Sequence, residues 1–156
     1  RAFPDRMLED SPVLSAMVDA GRLGRKSGKG FFSYENRKKR AQPDPDVAEV
    51  LEPFVKGGDE STTEAITNRL FLPMMLEATR ALEDGIVRDV RDVDFGLIYG
   101  IGFPPFKGGI LHWADSVGSA ALLEALKPFE GLGGRFAPTG MLTELGANNG
   151  KFYRAM

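Results

Sequence analysis

The sequence predicts an all-α fold, a bundle of helices, and three observations carry that expectation. Apolar residues recur at helical spacing through most of the chain beyond residue 61: Ile66, Leu70, Met74, Ala78 and Leu82 form one stripe, and Val90, Val93, Leu97 and Ile98 form another. Capping and stop signals bracket those stripes, with Thr62-Thr63-Glu64 and Asp89 at starts and Gly85 at a stop. Runs of alternating apolar and polar residues, the mark of half-buried strands, are nearly absent.

In chain order, a short helix is expected over residues 7–20, with Ser11 as its cap, Pro12 at its first position, Leu14, Met17 and Val18 on its apolar side and Gly21 ending it. Residues 36–60 read as a linker: basic residues, Pro43-Asp44-Pro45-Asp46, a short apolar helix around 47–54, then Gly57-Gly58. Ser61-Thr62-Thr63-Glu64 is a capping-box pattern opening the longest helix, residues 62–84. Phe71, Leu72, Met75 and Leu76 widen its apolar stripe almost to the full circumference, which predicts a central, buried helix kinked at Pro73. Glu77 within that surround needs a partner, and Arg80, followed by Asp84, offers an ion-pair ladder. Asp89 caps the next helix.

The stretch DVDFGLIYGIGFPPFKGGILHWADSVG, residues 92–118, organises the rest. Its glycines and prolines between apolar side chains predict a buried, shaped corner holding two helices close. Ser116 or Ser119 opens a helix through Leu126 ending near Gly131, residues 131–137 are loop, Pro138–Leu145 is a last short helix, and Asn149-Gly150 turns the chain into Phe152-Tyr153.

Composition removes several chemistries. With no Cys there is no disulfide, thiolate zinc site or Cys nucleophile, and one His makes a multi-histidine metal site impossible. No apolar run reaches the roughly 18–20 residues of a membrane span. The chain starts Arg-Ala-Phe-Pro, with neither Met nor a signal-peptide pattern, so a longer parent is expected. Net charge is −2 but uneven: residues 1–40 carry ten Lys/Arg against five Asp/Glu, and the remainder ten against seventeen. The basic end reads either as a solvated loop or as the mark of a phosphate-rich partner. Arg37-Lys38-Lys39-Arg40 sits beside helix breakers, and the acidic remainder argues against nucleic acid as that partner. Neither glycine-rich stretch passes as a nucleotide loop. Gly24 and Gly28 are separated by three residues and Lys29 is followed by Gly30, whereas a P-loop needs four and then Ser or Thr; Gly100-x-Gly102 has Pro105 where a dinucleotide fingerprint needs glycine.

The chain also repeats itself. Residues 12–32 contain Pro, a short helix, Gly21 and then Gly-Lys-Gly-Phe31-Phe32; residues 138–153 contain Pro, a short helix, Gly146 and then Asn-Gly-Lys-Phe152-Tyr153. Two copies of one helical unit are expected, the first represented by its tail over 1–35 and the second complete over 61–156.

GRLGRKSGKGFFSYE (21–35) resembles the end of the C-terminal domain of L-3-hydroxyacyl-CoA dehydrogenases, and TNRLFLPMMLEATRALEDGI (67–86) with residues 92–118 resembles the body of a second such domain. Tandem copies of this kind are typical of the multifunctional fatty-acid oxidation enzyme, which joins an enoyl-CoA hydratase to the dehydrogenase. The resemblance implies a helical bundle like the C-terminal domain of 6-phosphogluconate dehydrogenase, supporting acyl-CoA binding and interdomain or dimer packing in the cytoplasm. It also implies upstream hydratase and Rossmann domains, the latter holding NAD and a catalytic His–Glu pair, and a possible thiolase subunit as partner. No catalytic or cofactor-binding residue is assigned within this chain itself.

Three groups of residues follow from the resemblance. Asn68 matches an Asn-Arg-Leu motif that lies near substrate in the family, and here reads either as a substrate contact or as a structural tie between helices. Arg22, Arg25, Lys26 and Lys29 are candidates for CoA phosphates or a neighbouring domain. His112 stands where the family often has Arg, in Gly108-Gly109-x-x-His112-Trp113-x-Asp115, and reads as a packing residue beside Trp113.

Overall fold

The computed structural model describes residues 6, 11–34, 40–55, 57 and 62–154. These fall into two compact units, one of residues 8–60 and one of residues 61–156 with residues 1–7.

In the smaller unit, α1 (Pro12–Asp19) starts at Pro12, with Ser11 at the cap position but making no side-chain cap bond. The residues before Ser11 that were expected to belong to this helix lie outside the described ones. After α1 the chain closes on itself: Gly21 takes φ +68°, and the Arg22 amide donates to the Met17 carbonyl at 2.8 Å. A two-stranded antiparallel pairing, β1 (Phe32–Ser33) with β2 (Gln42–Pro43), and a short helix, α2 (Val47–Leu51), complete the unit. Residues 40–54, read from sequence as linker, belong to this unit, and Asp44 is buried in it.

The larger unit is a helical bundle: α3 (Thr63–Glu83), α4 (Val90–Ile101), α5 (Ile110–Val117), α6 (Ser119–Leu126) and α7 (Gly140–Ala147). Helix α3 is its spine, touching α5, α6, α7 and the 3-10 turn at Gly134–Phe136. Thr62 caps it, accepting from the Ala65 amide at 3.1 Å, while Ser61, which begins the expected capping box, lies outside the described residues. Leu72, Met75 and Leu76 on α3 are fully buried against Val93, Ile110, Leu111, Leu122, Leu126 and Leu142. Each such side chain contributes about 1.5–3 kcal/mol of burial free energy. Phe71 fills one end, with ring centroids 5.2 Å from both Phe103 and Trp113.

Helix α3 is not apolar-buried all round, as its wheel predicts. Ile66 and Leu70 are 50% and 62% exposed, and burial begins at Leu72. Periodicity shows that a stripe exists; only the other helices decide how far along it the covering layer reaches. Arg80 meets Glu77 at 2.7 Å as expected, but its second nitrogen donates to the carbonyls of Gly134 and Ala137, at 2.9 and 2.8 Å, rather than continuing to Asp84.

Three smaller expectations shift. Ser119, not Ser116, starts α6, behind the Gly118 break. Residues expected as loop over 131–137 form 3-10 turns. The last helix is α7, capped by Thr139, two residues later than Pro138. The α7 cap is part of a buried chain. The Leu142 amide donates to Thr139 Oγ1 (3.3 Å), Thr139 donates to Thr79 Oγ1 (3.0 Å), and Thr79 donates to the Leu76 carbonyl (2.9 Å). That chain fixes α7 to the spine while leaving no buried hydroxyl unpaired.

Candidate functional site

The corner between α4 and α5 is built from local signals and one long-range one. Asp89 caps α4 through the Arg91 amide at 2.8 Å; the Arg91 side chain, then that amide, hold the Asp89 carboxyl down to about 2. Gly102 ends α4 in the left-handed region, and the Phe103 amide returns to the Leu97 carbonyl at 3.1 Å. Phe103 is buried, but Ile101 and Phe106 are exposed, so the corner is a surface feature anchored by one ring and not the buried loop that its composition suggests.

Helix α5 opens at Gly109, which has no side chain to cap it. Its free amides are met from α4: Asp94 accepts from the Leu111 amide through Oδ1 (2.8 Å) and from the His112 amide through Oδ2 (3.0 Å). A carboxylate at a helix N-terminus answers both the unpaired donors and the helix dipole. Asp94 is 2% exposed, and Tyr153 adds a third donor, its hydroxyl lying 2.7 Å from Oδ2. Burial, then that bond and the charges of Asp94 and Asp115, push the Tyr153 hydroxyl well above its ordinary range, so it acts as a donor. One turn further, Asp115 accepts from the Phe152 and Tyr153 amides at 2.7 and 3.1 Å. Gly109 adopts φ +115° and ψ 172°, a region open essentially to glycine alone. A Cβ there would stand 2.1 Å from the Asp94 carboxyl carbon.

Gly108-Gly109-x-x-His112-Trp113-x-Asp115 is therefore a joint. The glycines let the carboxylate in, Trp113 packs inward, and Asp115 fastens the chain end. His112 lies on the outer side, its Nδ1 3.1 Å from the Lys107 carbonyl and its ring edge-on to Tyr153 at 5.8 Å. A carbonyl partner assigns the Nδ1 proton.

Asn68 sits half-buried on α3, and among the described residues its side chain makes no hydrogen bond. Its neighbour Arg69 lines a groove with Leu70, Pro73, Met74, Glu77, Arg135 and Arg6.

The basic set divides. Arg22 turns inward, meeting Asp44 at 2.5 Å and the Gly30 carbonyl at 3.0 Å, with both charged side chains over nine-tenths buried. It is thus corrected from phosphate candidate to the internal pin of the small unit. Lys29 lies 3.3 Å from Asp46 on the surface, Arg25 stacks over the Tyr34 ring at 5.1 Å, and Lys26 is exposed. Gly24 and Gly28, at φ +79° and +77°, serve a tight turn in which the Gly24 amide meets the Lys29 carbonyl at 2.8 Å. The run Arg37-Lys38-Lys39 lies outside the described residues.

The Arg22 hydrogen bond, aided by the Asp46 amide, holds the Asp44 carboxyl below its ordinary value despite desolvation. A carboxyl depressed in the folded state stabilises above its unfolded value, about 4, and that contribution is lost as pH falls toward the folded value. Amide protection in residues 22–34, measured against the intrinsic exchange rate at each pH, is therefore expected to fall on acidification below about pH 4, and Asp44→Asn should remove that acid dependence. An acid response unchanged by the substitution would assign it to other groups.

Among the described residues no group of His, Asp and Glu side chains is placed to hold a metal, and no helix is long and apolar enough to cross a membrane.

Comparison with known proteins supplies the family. The family model described as "3-hydroxyacyl-CoA dehydrogenase, C-terminal domain" matches residues 1–34 and 66–154. A fatty acid oxidation complex subunit alpha from Pseudomonas syringae pv. syringae (strain B728a) is 45% identical over 155 residues, covering 97% of this chain and 22% of the relative. Its counterpart from Pseudomonas paraeruginosa (strain DSM 24068 / PA7) is 46% identical over 156 residues with the same coverage. The chain thus spans about a fifth of the length of these relatives. The dehydrogenase part of multifunctional enzyme 1 from C. elegans shares the fold, with a TM-score of 0.60 at 21% identity over 92% of this chain and 34% of that one. With four-fifths of its residues matched, and the helical bundle and its glycine-gated joint in place, this chain belongs to the 3-hydroxyacyl-CoA dehydrogenase C-terminal-domain family.

Proposed function

We propose that this chain is the C-terminal part of a multifunctional enzyme of fatty-acid β-oxidation that oxidises L-3-hydroxyacyl-CoA to 3-ketoacyl-CoA with NAD in the cytoplasm. The observation that carries the reading is coverage: relatives named as fatty acid oxidation complex alpha subunits match 97% of this chain with 22% of their own length. In this reading NAD and the reactive His–Glu pair belong to a Rossmann domain upstream, beside a hydratase. The present residues shape the acyl-CoA site and pack against those domains, a thiolase subunit or a second copy. Residues 1–35 are the tail of a first helical repeat, 36–60 join the copies, and 61–156 are the second copy. Two features support the duplication. The family model matches in two blocks. Both copies also end their short helix alike, since Asn149 takes φ +50° and the Gly150 amide meets the Leu145 carbonyl at 2.8 Å, as Gly21 and Arg22 do in the first.

A second reading, a purely structural docking module, is favoured by exposed apolar side chains on α4 and its corner. Phe95 and Tyr99 stack at 6.3 Å in solvent, next to exposed Ile101 and Phe106. A thermal-shift titration with acetoacetyl-CoA separates the two. Under the first reading, a hundredfold excess over Kd raises Tm by about 5–10 °C, and Asn68→Ala, together with Arg25→Gln, Lys26→Gln and Lys29→Gln, shrinks the rise. No rise in any variant leaves the docking reading. Tight binding of NAD to this chain by calorimetry would overturn the placement of the cofactor upstream.

A further inference from the structure

A groove on the outer side of α3 gathers cations that the sequence scatters. Arg69, Arg135 and Arg6 line it around Leu70, Pro73 and Met74, with Glu77 as the lining carboxylate. Glu77 is already bridged on both oxygens, to Arg80 at 2.7 Å and to Arg6 at 3.1 Å. Arg80 also pins the 134–137 backbone to α3, which sets Arg135 in place, and the Arg135 guanidinium lies 4.9 Å above the Phe136 ring. Stacking leaves its terminal N–H groups for an acceptor, while its Nε is buried away from solvent and from any hydrogen-bond partner. Among the described residues those terminal groups make no hydrogen bond, so they are the donors that Arg135 can bring to the groove it lines.

We infer that this groove binds a phosphomonoester carried on an organic ligand, with the phosphate between Arg69 and Arg135 and the organic part on Leu70, Pro73 and Met74. Guanidinium groups match phosphate oxygens in pairs, and phosphate supplies several acceptors to a site whose own carboxylate is spent. The apolar floor favours an organic phosphate over a bare ion. The choice of a coenzyme A phosphate as that group rests on the acyl-CoA reading; the groove itself does not.

The test is calorimetric titration of the whole chain at low salt with coenzyme A, 3′-dephospho-coenzyme A, adenosine 3′,5′-bisphosphate and inorganic phosphate. Coenzyme A is expected to bind, to weaken about tenfold or more in Arg69→Gln and in Arg135→Gln, to weaken comparably when its 3′-phosphate is missing, and to weaken as salt rises. Arg69 is exposed, so Arg69→Gln should fold even if the Arg135 variant does not. Adenosine 3′,5′-bisphosphate binding through both arginines, with coenzyme A failing to bind, would uphold the groove and sink the acyl-CoA reading. Coenzyme A binding unchanged in both variants would sink the groove and leave that reading standing. Binding of inorganic phosphate alone, or of none of the four, overturns the proposal.

Discussion

Asp94→Ala is expected to lower the unfolding free energy of the larger unit by about 3–5 kcal/mol, because three buried or half-buried donors lose their acceptor together. The Leu111 and His112 amides and the Tyr153 hydroxyl all end on this carboxylate. None has another acceptor in place, and each stranded donor costs about 1–3 kcal/mol, with overlap among neighbours. Tyr153→Phe removes a single bond and should cost about 1 kcal/mol. Gly109→Ala attacks the same joint from the other side: the new Cβ displaces the carboxylate and forces a non-glycine residue to φ +115°. It should cost about 3 kcal/mol or more. Since both changes uncap α5, Asp94→Ala with Gly109→Ala should cost clearly less than the sum of the two. Urea unfolding of the four variants at neutral pH reads this directly. An additive double variant, or an Asp94→Ala penalty near that of Tyr153→Phe, would mean that the joint does not hold α5.

What could be read in advance follows the range of the forces involved. The limits of α3 and α4, the Asp89 cap, Pro12 at the start of α1 and the Glu77–Arg80 pair are all set within a turn or two of chain, so neighbouring residues betray them. Asp94 was invisible as a cap because it serves a helix that begins sixteen residues later, and in sequence it is one more polar residue in an amphipathic run. Arg22 read as a surface cation for the same reason: its partner Asp44 stands 22 residues on, in a stretch that composition marks as linker. The arginine groove joins residues 6, 69 and 135, which no periodicity connects. Asn68 stood out through a resemblance, and its place on α3 neither gives it a partner nor sets it in that groove.

The two aromatic pairs show how one sequence pattern can carry unequal weight, and Phe152→Ala is the second change with a large expected effect. Phe152 is 1% exposed and packs into the core of the larger unit, with its amide held by Asp115. Truncating it should cost about 3–5 kcal/mol, the transfer free energy of the ring plus the cavity left behind. Phe31, at the matching place in the pattern of residues 12–32, is 44% exposed, and Phe31→Ala should change stability by no more than about 1 kcal/mol. The difference originates in the connection. One residue, Lys151, separates the helix-ending turn from Phe152, so the ring drops straight back against α5, whereas Leu23–Gly30 intervene before Phe31 and are spent on a glycine turn and the Arg22 pin. Urea denaturation of the two variants side by side tests this. Equal losses would mean that the two aromatic pairs do the same job; a Phe152→Ala loss below about 1 kcal/mol would mean that residues 152–153 are not part of the core.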